Sequence, residues 1–343
     1  MVDSPLDKKG ISMFWWGKRN LPKDPTTSFA GKTILITGAN VGLGFESAIK
    51  FAALGASSLI FGVRSLQRGE DAKKLICQRT GYLLSNIKLF QLDMSTFASV
   101  KNFADTVTKN VPRIDVAILN AGVALPSYQV SREGYEMTLQ VNVLSTALLG
   151  ILLLPKLRQT TASTGNLAHL EFVGSAGQEQ VTQDMLKLGP KDNVIQKLNS
   201  MEFFDYMIQY QISKLLLQHV VDSIAPKALN PLGKPEVIVT TVCPGLCRTN
   251  LGREFGGFVK FANVIFQQIF ARTCEEGSRT LVSGAALGPE THGEMWSHDI
   301  LWRKGELVTS EEGKLLMART WDEILQILRA VAPEVNGILN AKS

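Results

Sequence analysis

The chain has few cysteines, four in 343 residues: Cys77, Cys243, Cys247 and Cys274. That is too few for a disulfide scaffold and suits a reducing compartment. Cys243 and Cys247 stand close together, but Pro244-Gly245 lies between them and no histidine is near, so no metal site is expected. There is no block of one charge. The 36 basic and 31 acidic residues are dispersed, with net charge +5 and pI about 8.9, which offers no arm for nucleic acid. There is also no long apolar run. The longest, Val143 to Leu154, stops at Pro155, short of the roughly 20 residues that cross a bilayer. The N-terminus lacks a signal-peptide pattern, since Asp3, Asp7, Lys8 and Lys9 precede only the patch Met13-Phe14-Trp15-Trp16. These absences point to a cytoplasmic protein with no transmembrane segment. Contact with lipid would be peripheral, through that patch; the alternative is an arm folded back on the body.

What remains is ordinary globular chemistry: 45% hydrophobic, 20% charged, mean hydropathy +0.08. The length allows two domains or one large α/β domain. After a polar leader (1–30), strand and helix patterns alternate. Strands are expected at 33–37, 58–63, 87–91, 114–119, 169–173 and 237–242. Helices are expected at 42–54, 67–79, 95–109, 134–154, 210–225, 275–286 and 311–330. Apolar strands separated by helices predict a parallel sheet with right-handed crossovers. No linker interrupts 31–242, so one extended α/β domain over 31–330 is expected, with a tail at 331–343.

Directly after the first strand comes Thr37-Gly38-Ala39-Asn40-Val41-Gly42-Leu43-Gly44. Glycines so placed permit a tight turn and close approach of a pyrophosphate, and the helix that starts there presents free N–H groups to it. The residue that faces the adenosine ribose should follow the last glycine by roughly 20 positions. That residue is Arg64. A guanidinium there suits a 2′-phosphate, so NADP is expected over NAD.

Tyr210 and Lys214 stand four residues apart, on one helix face. A cation beside a phenol stabilises the phenolate and brings its proton into useful range. Ser175 follows the fifth strand, and Asn120-Ala121-Gly122 closes the fourth on the same sheet edge. Asn142 lies in the next helix, and Asp93 closes the third strand. Taken singly these are a turn serine, a turn Asn, a helix Asn and a capping Asp; together and in order they form a site.

With these elements the chain resembles the short-chain dehydrogenase/reductases, which carry TGxxxGxG, NAG, Asn, Ser and YxxxK in this order. It is similar in particular to retinol-dehydrogenase-like members and to fungal secondary-metabolite reductases. The resemblance covers about residues 31–249 and, more loosely, extends to 330. It implies a Rossmann-type doubly wound parallel sheet flanked by helices and a hydride transfer between NADP(H) and the carbonyl or alcohol of a hydrophobic metabolite. Tyr210 would be the acid/base, Lys214 would lower its pKa and hold the nicotinamide ribose, Ser175 would bind the substrate oxygen, and Asn142 would support a water relay. Gly38, Asn40, Gly42, Leu43, Gly44 and Arg64 would bind the adenosine phosphates, Asp93 the adenine side, and Asn120, Gly245 and Thr249 the nicotinamide half. A homodimer through the 134–154 helix is a further expectation. The alternatives are a retinol- or steroid-type alcohol dehydrogenase, and an NADP-binding regulator without turnover.

Two departures stand out. Gly174 occupies a position where a second serine is common, and Ser175 to Tyr210 is a much longer interval than usual. The insertion at 176–209 contains Met185, Leu186, Met201, Phe203, Phe204 and Met207, which would either contact substrate or pack on the body. Phe255, Phe258, Phe261, Val264, Ile265, Phe266, Ile269 and Phe270 lie in the segment 251–272, where the family places a substrate lid. The same residues would serve as core or as a membrane-facing surface.

Overall fold

Five of six short runs rich in aliphatic and β-branched residues are buried almost throughout, as strands covered on both faces of a sheet are, while the sixth, 87–91, exposes Lys88 and Gln91. In the computed structural model, which describes residues 10–189, 191–249, 251 and 266–341, they form β1 (Thr33–Thr37), β2 (Ser58–Val63), β3 (Ile87–Gln91), β4 (Val116–Leu119), β5 (Ala168–Val173) and β6 (Val237–Val242). The sheet runs β3-β2-β1-β4-β5-β6 with every neighbouring pair parallel. The order reverses between β1 and β4, which opens a crevice beyond the carboxyl ends of the strands.

Alternate strand residues feed two cores. Ile34 and Ile36 face α2 (Gly42–Ala53), α3 (Leu66–Thr80) and α7 (Cys274–Gly284). Leu35 faces the other core, built on α4 (Phe97–Asn110), α5 (Met137–Thr164), α6 (Gln209–Ile224), α8 (Glu311–Val331) and α9 (Glu334–Asn340).

Three features go beyond the expected elements or choose between stated alternatives. The sheet continues past β6 with β7 (Met295–Ser297), parallel to it, and β8 (Ile300–Trp302), which returns antiparallel. Three residues are too few to show periodicity, and the tight turn is made by His298 and Asp299 at φ of 56° and 59°. Second, α5 does not stop at Pro155 but runs through it to Thr164. Packing around Ile151, Leu153, Leu154 and Leu157, all fully buried, holds the turn where proline removes a helix hydrogen bond. The resulting helix has the length and hydropathy to cross a membrane, yet 89% of its most apolar window is buried inside the protein. Third, the N-terminal patch forms α1 (Ile11–Arg19) and folds back on the body, with Trp16 7% exposed and Trp15 43% exposed.

The insertion contributes two short helices, Gln183–Leu186 and Val194–Leu198. The second packs on α8, where the Glu323 carboxylate accepts from the N–H groups of Val194 and Ile195 at 2.8 and 2.7 Å. Leu186, Val194, Ile195 and Leu198 join the main core, while Met201 and Met207 are exposed.

Glu171, in the middle of β5, is completely buried with neither carboxylate oxygen hydrogen-bonded. Burial therefore pushes its pKa well above 4.5 and keeps the proton on. The unfolded chain releases that proton above about pH 4.5, so stability falls as pH rises past that value. Glu171→Gln should flatten this slope and raise Tm at pH 8 by about 2 °C or more, the shift about 1 kcal/mol gives a large domain. Thermal unfolding of both proteins at pH 5 and pH 8 checks it, and equal slopes would refute it.

Candidate active site

The first element of the site is built at the carboxyl end of β1. Gly38 and Gly42 take positive φ of 69° and 61°, which a side chain would strain. Gly44 allows the closest approach: a Cβ there would lie 2.6 Å from the Gly38 carbonyl oxygen and 2.7 Å from Asn120 Nδ2. The helix α2 that follows has no side-chain cap and no acidic residue in its first turn. Its leading N–H groups and positive dipole end are thus left for an anion. A bare helix start in a cradle that one methyl group would fill fits the phosphates of a dinucleotide.

Asn120 sits just past β4 and ties the turn down. Its N–H and that of Ala121 donate to Thr37 Oγ1, both at 2.9 Å, and its Nδ2 donates to Thr37 O at 2.9 Å. Arg64 stands exposed at the end of β2. The Asp93 carboxylate accepts from Ser95 N–H and Oγ at 3.0 and 2.7 Å.

The second element comes from α6. Lys214 is buried, its Nζ donating to Val173 O at 2.7 Å and lying 5.6 Å from the centre of the Tyr210 ring. Burial pushes Lys214 down to about 8. Burial pushes the Tyr210 phenol up, and a hydrogen bond with the Ser175 hydroxyl works against that shift. In the protein without ligand, the Ser175 hydroxyl is the neighbour that works against the rise.

Ser175 caps the turn Ala176–Gln180, its Oγ accepting from Gly177 N–H at 3.1 Å. Gly174 before it has a steric cause: a Cβ would lie 2.3 Å from the Thr241 methyl of β6. Asn142 sits in a π-turn, Gln140–Ser145, within α5. Its amide bonds the N–H and C=O of Val123 at 2.9 Å each and donates to Ser213 Oγ at 3.0 Å. Ser213 in turn donates to Tyr210 O at 2.7 Å. A Cβ on Gly122 would lie 3.2 Å from Asn142 Oδ1 and 3.9 Å from Lys214 Nζ, so this glycine keeps the space between them open.

A cavity of about 620 Å³ joins the two elements, lined by Leu43, Ser175, Tyr210, Gly245, Thr249 and, among others, Met13, Phe14, Leu246, Phe270 and Trp302. None of Gly38, Asn40, Gly42, Gly44, Arg64, Asp93, Asn120, Asn142 and Lys214 lines it. Gly245 has φ of 74°, and Thr249 Oγ1 accepts from Leu251 N–H at 3.3 Å. None of Met185, Leu186, Met201, Phe203, Phe204 and Met207 lines the cavity; from the insertion only residues near its start do, among them Glu179 and Gln180. Leu251 and Phe270 of the expected lid do line it. Phe255, Phe258, Phe261, Val264 and Ile265 lie outside the described residues. Cys243 Sγ accepts from Ala176 N–H at 3.2 Å and Cys247 Sγ donates to Pro244 O at 3.3 Å. Among the described residues no three His, Cys, Asp or Glu side chains converge.

Sequence reasoning missed four participants. Thr37 and Ser213 lie inside the motifs already singled out, and their polarity at buried positions was the available signal. Glu136 is fully buried and accepts from Thr138 and Leu139 N–H at 2.9 Å each and from Gln209 Nε2 at 2.8 Å, which sets the start of α6 against α5. Arg272, a cavity-lining residue 2% exposed, carries no local signal at all.

A phosphate cradle at the switch point of a parallel sheet, with a Tyr–Lys–Ser group at the adjoining cavity, defines a dinucleotide-dependent oxidoreductase. The comparisons agree. The family model for short chain dehydrogenases matches residues 32–176. The short-chain dehydrogenase/reductase phmF of Phaeosphaeria nodorum is 50% identical over 337 residues, 97% of each chain. Its counterpart ffsI of Aspergillus flavipes is 48% identical over 342 residues, 100% of this chain and 99% of the other. Among solved structures, the Pseudomonas aeruginosa RhlG/NADP active-site complex aligns with TM-score 0.60 at 21% identity, over 80% of this chain and 97% of that one. The chain belongs to the short-chain dehydrogenase/reductase family: it is an oxidoreductase of the kind that binds a nicotinamide cofactor.

Gly44→Ala tests the cradle. The added methyl has only backbone and Asn120 to displace, so NAD(P)H affinity should drop at least about tenfold, or 1.4 kcal/mol. Titration of nicotinamide fluorescence checks it, and wild-type affinity would place the dinucleotide elsewhere.

Proposed function

We propose that the protein is an NADP(H)-dependent oxidoreductase that transfers hydride between the nicotinamide and a carbonyl or alcohol of a hydrophobic metabolite, of the polyketide-derived secondary-metabolite type. The observation that carries this is that Ser175 and Tyr210 line a cavity bounded largely by apolar side chains, with Lys214 Nζ 5.6 Å from the Tyr210 ring. Two solved structures that share the fold are complexes with NADP or 5-hydroxy-NADP, that of RhlG and that of an alcohol dehydrogenase from Thermococcus sibiricus, and the relatives phmF and ffsI are fungal.

Gly38, Asn40, Gly42, Leu43 and Gly44 would hold the phosphates, Arg64 the 2′-phosphate, Asp93 the adenine side, and Asn120, Gly245, Thr249 and Lys214 the nicotinamide half. The bound cofactor supplies or accepts hydride; position and proton come from the protein. In reduction Tyr210 gives its phenolic proton to the carbonyl oxygen, while Ser175 hydrogen-bonds that oxygen. The phenolate left behind is stabilised by the Lys214 ammonium, which keeps its charge below about pH 8 in the free protein. Burial is the main cause that holds the proton on Tyr210 and the Ser175 hydroxyl works against it; the nearby cation would add to that effect as the phenolate forms. Asn142 holds Val123 and, through Ser213, the backbone of Tyr210, leaving the space by Gly122 for a proton path to Lys214.

Tyr210→Phe should lower kcat by about 10²–10⁴-fold, the usual worth of a positioned acid, and leave NADPH affinity within a few-fold. Turnover assayed with lipophilic ketones, beside NADPH titration, checks both, and wild-type turnover would remove the acid/base role. Arg64→Asp should weaken NADPH at least about tenfold while sparing NADH. Unchanged NADPH affinity in the same titration would remove the phosphate contact.

A further inference from the structure

The cavity wall contains a cation, Arg272, that no carboxylate among the described residues pairs directly; Glu276 and Asp299 act on it only from a distance. Arg272 is the largest of the fully buried side chains. Its Nη2 donates to Gly17 O at 2.9 Å and to His298 Nε2 at 2.5 Å. His298 does not share the charge, because burial and the neighbouring guanidinium push it down to about 3. It is neutral, accepts at Nε2, and places Nδ1 2.8 Å from Ser297 Oγ, which donates to Cys243 O at 2.8 Å. That chain of donors and acceptors is complete and uses up Nη2. Nη1 is buried and has no hydrogen-bond partner.

Among the described residues no carboxylate forms an ion pair with Arg272. Glu276 is engaged by Thr273 N–H, Asp299 by Lys23 N–H and Ser283 Oγ, and Glu179 by Trp302 and Arg303. An arginine keeps its proton, and a buried charge without a partner is unfavourable. The surroundings are nonetheless shaped to keep it. Gly245 leaves room for the guanidinium, since a Cβ there would lie 3.0 Å from Cζ, and a Cβ on Gly17 would lie 3.2 Å from His298 Nε2. Helix α1 is fastened over the same place: Lys18 Nζ donates to Ala271 O at 2.7 Å, Phe14 packs on Phe266 and Phe270, and Trp16 packs on His298 and Trp302.

We propose that Arg272 is an anion subsite of this cavity, and that the substrate is a hydrophobic molecule bearing an acidic oxygen, a carboxylate or the enolate of a 1,3-dicarbonyl, which pairs with Nη1. The proposal rests on the reading of this cavity as the substrate pocket. The cofactor's phosphates have their own cradle at Gly38 to Gly44, whereas Arg272 is framed by Gly245, α1 and the β7–β8 turn. Met13 and Phe14 of α1, with Phe270, would cover the apolar part of the same molecule.

The test is binding to the full chain of 3-oxodecanoate and its methyl ester, with and without NADPH, followed by quenching of tryptophan fluorescence (Trp16 and Trp302 adjoin the site) and by thermal shift. The wild type should hold the acid at least about tenfold more tightly than the ester. Arg272→Gln should abolish the difference and keep NADPH affinity within about threefold, and Arg272→Lys should retain part of it. Equal wild-type affinity for acid and ester overturns the proposal whether or not the variants fold. So does an Arg272→Gln protein that loses NADPH but keeps the acid preference, since the anion would then be the cofactor's. Wild-type NADPH binding in the same titrations separates failure of the subsite from failure of the oxidoreductase reading.

Discussion

The site depends on one contact, the latch between the end of β1 and the end of β4. Thr37 accepts two N–H groups from Asn120 and Ala121 and receives the Asn120 amide on its carbonyl. Together with the β1–β4 pairing it sets the glycine turn against the neighbouring strand, and with it the direction of the helix start that would receive phosphate. The latch lies at the switch point of the sheet, where adjacent crossovers leave on opposite faces. Gly44 is the other half of the same constraint, because only a hydrogen in place of a side chain lets α2 come within contact of Gly38 and Asn120.

From there the polar network extends inward. Asn142 holds Val123, just beyond the latch, and reaches through Ser213 to the backbone of Tyr210. Lys214 is pinned to Val173 O, the last residue of β5, and Ser175 lies two residues further on. Glu136 and Gln209 fix where α6 starts. Each side chain proposed to act in the chemistry is thus referred to a strand end, which is how a half-buried phenol and a buried ammonium can be kept at a constant separation while a cavity opens beside them.

The far wall is made differently. β7, β8 and α1 bring His298, Arg272, Trp16 and Trp302 together from three distant parts of the chain. Aromatic stacking and a neutral histidine surround one guanidinium. The cation is held in place, but only one of its terminal nitrogens is satisfied.

Much of this was legible in the residues alone. The six long parallel strands, the phosphate turn and the Tyr210–Lys214 pair follow from local rules: apolar runs must be buried, glycines permit close backbone approach, and residues four apart share a helix face. The course of α5 through Pro155, the return of α1, the three-residue strands and the packing of the insertion on α8 do not follow, because each is decided by what lies across from it. Met201 and Met207, which the sequence left as touching substrate or packing on the body, are exposed; Arg272, at the end of the expected lid segment, is buried. A single sequence specifies which backbone conformations and faces are available. Which buried charge lacks a partner is a property of segments far apart in the chain, and only their tertiary contact, with water excluded, makes it visible.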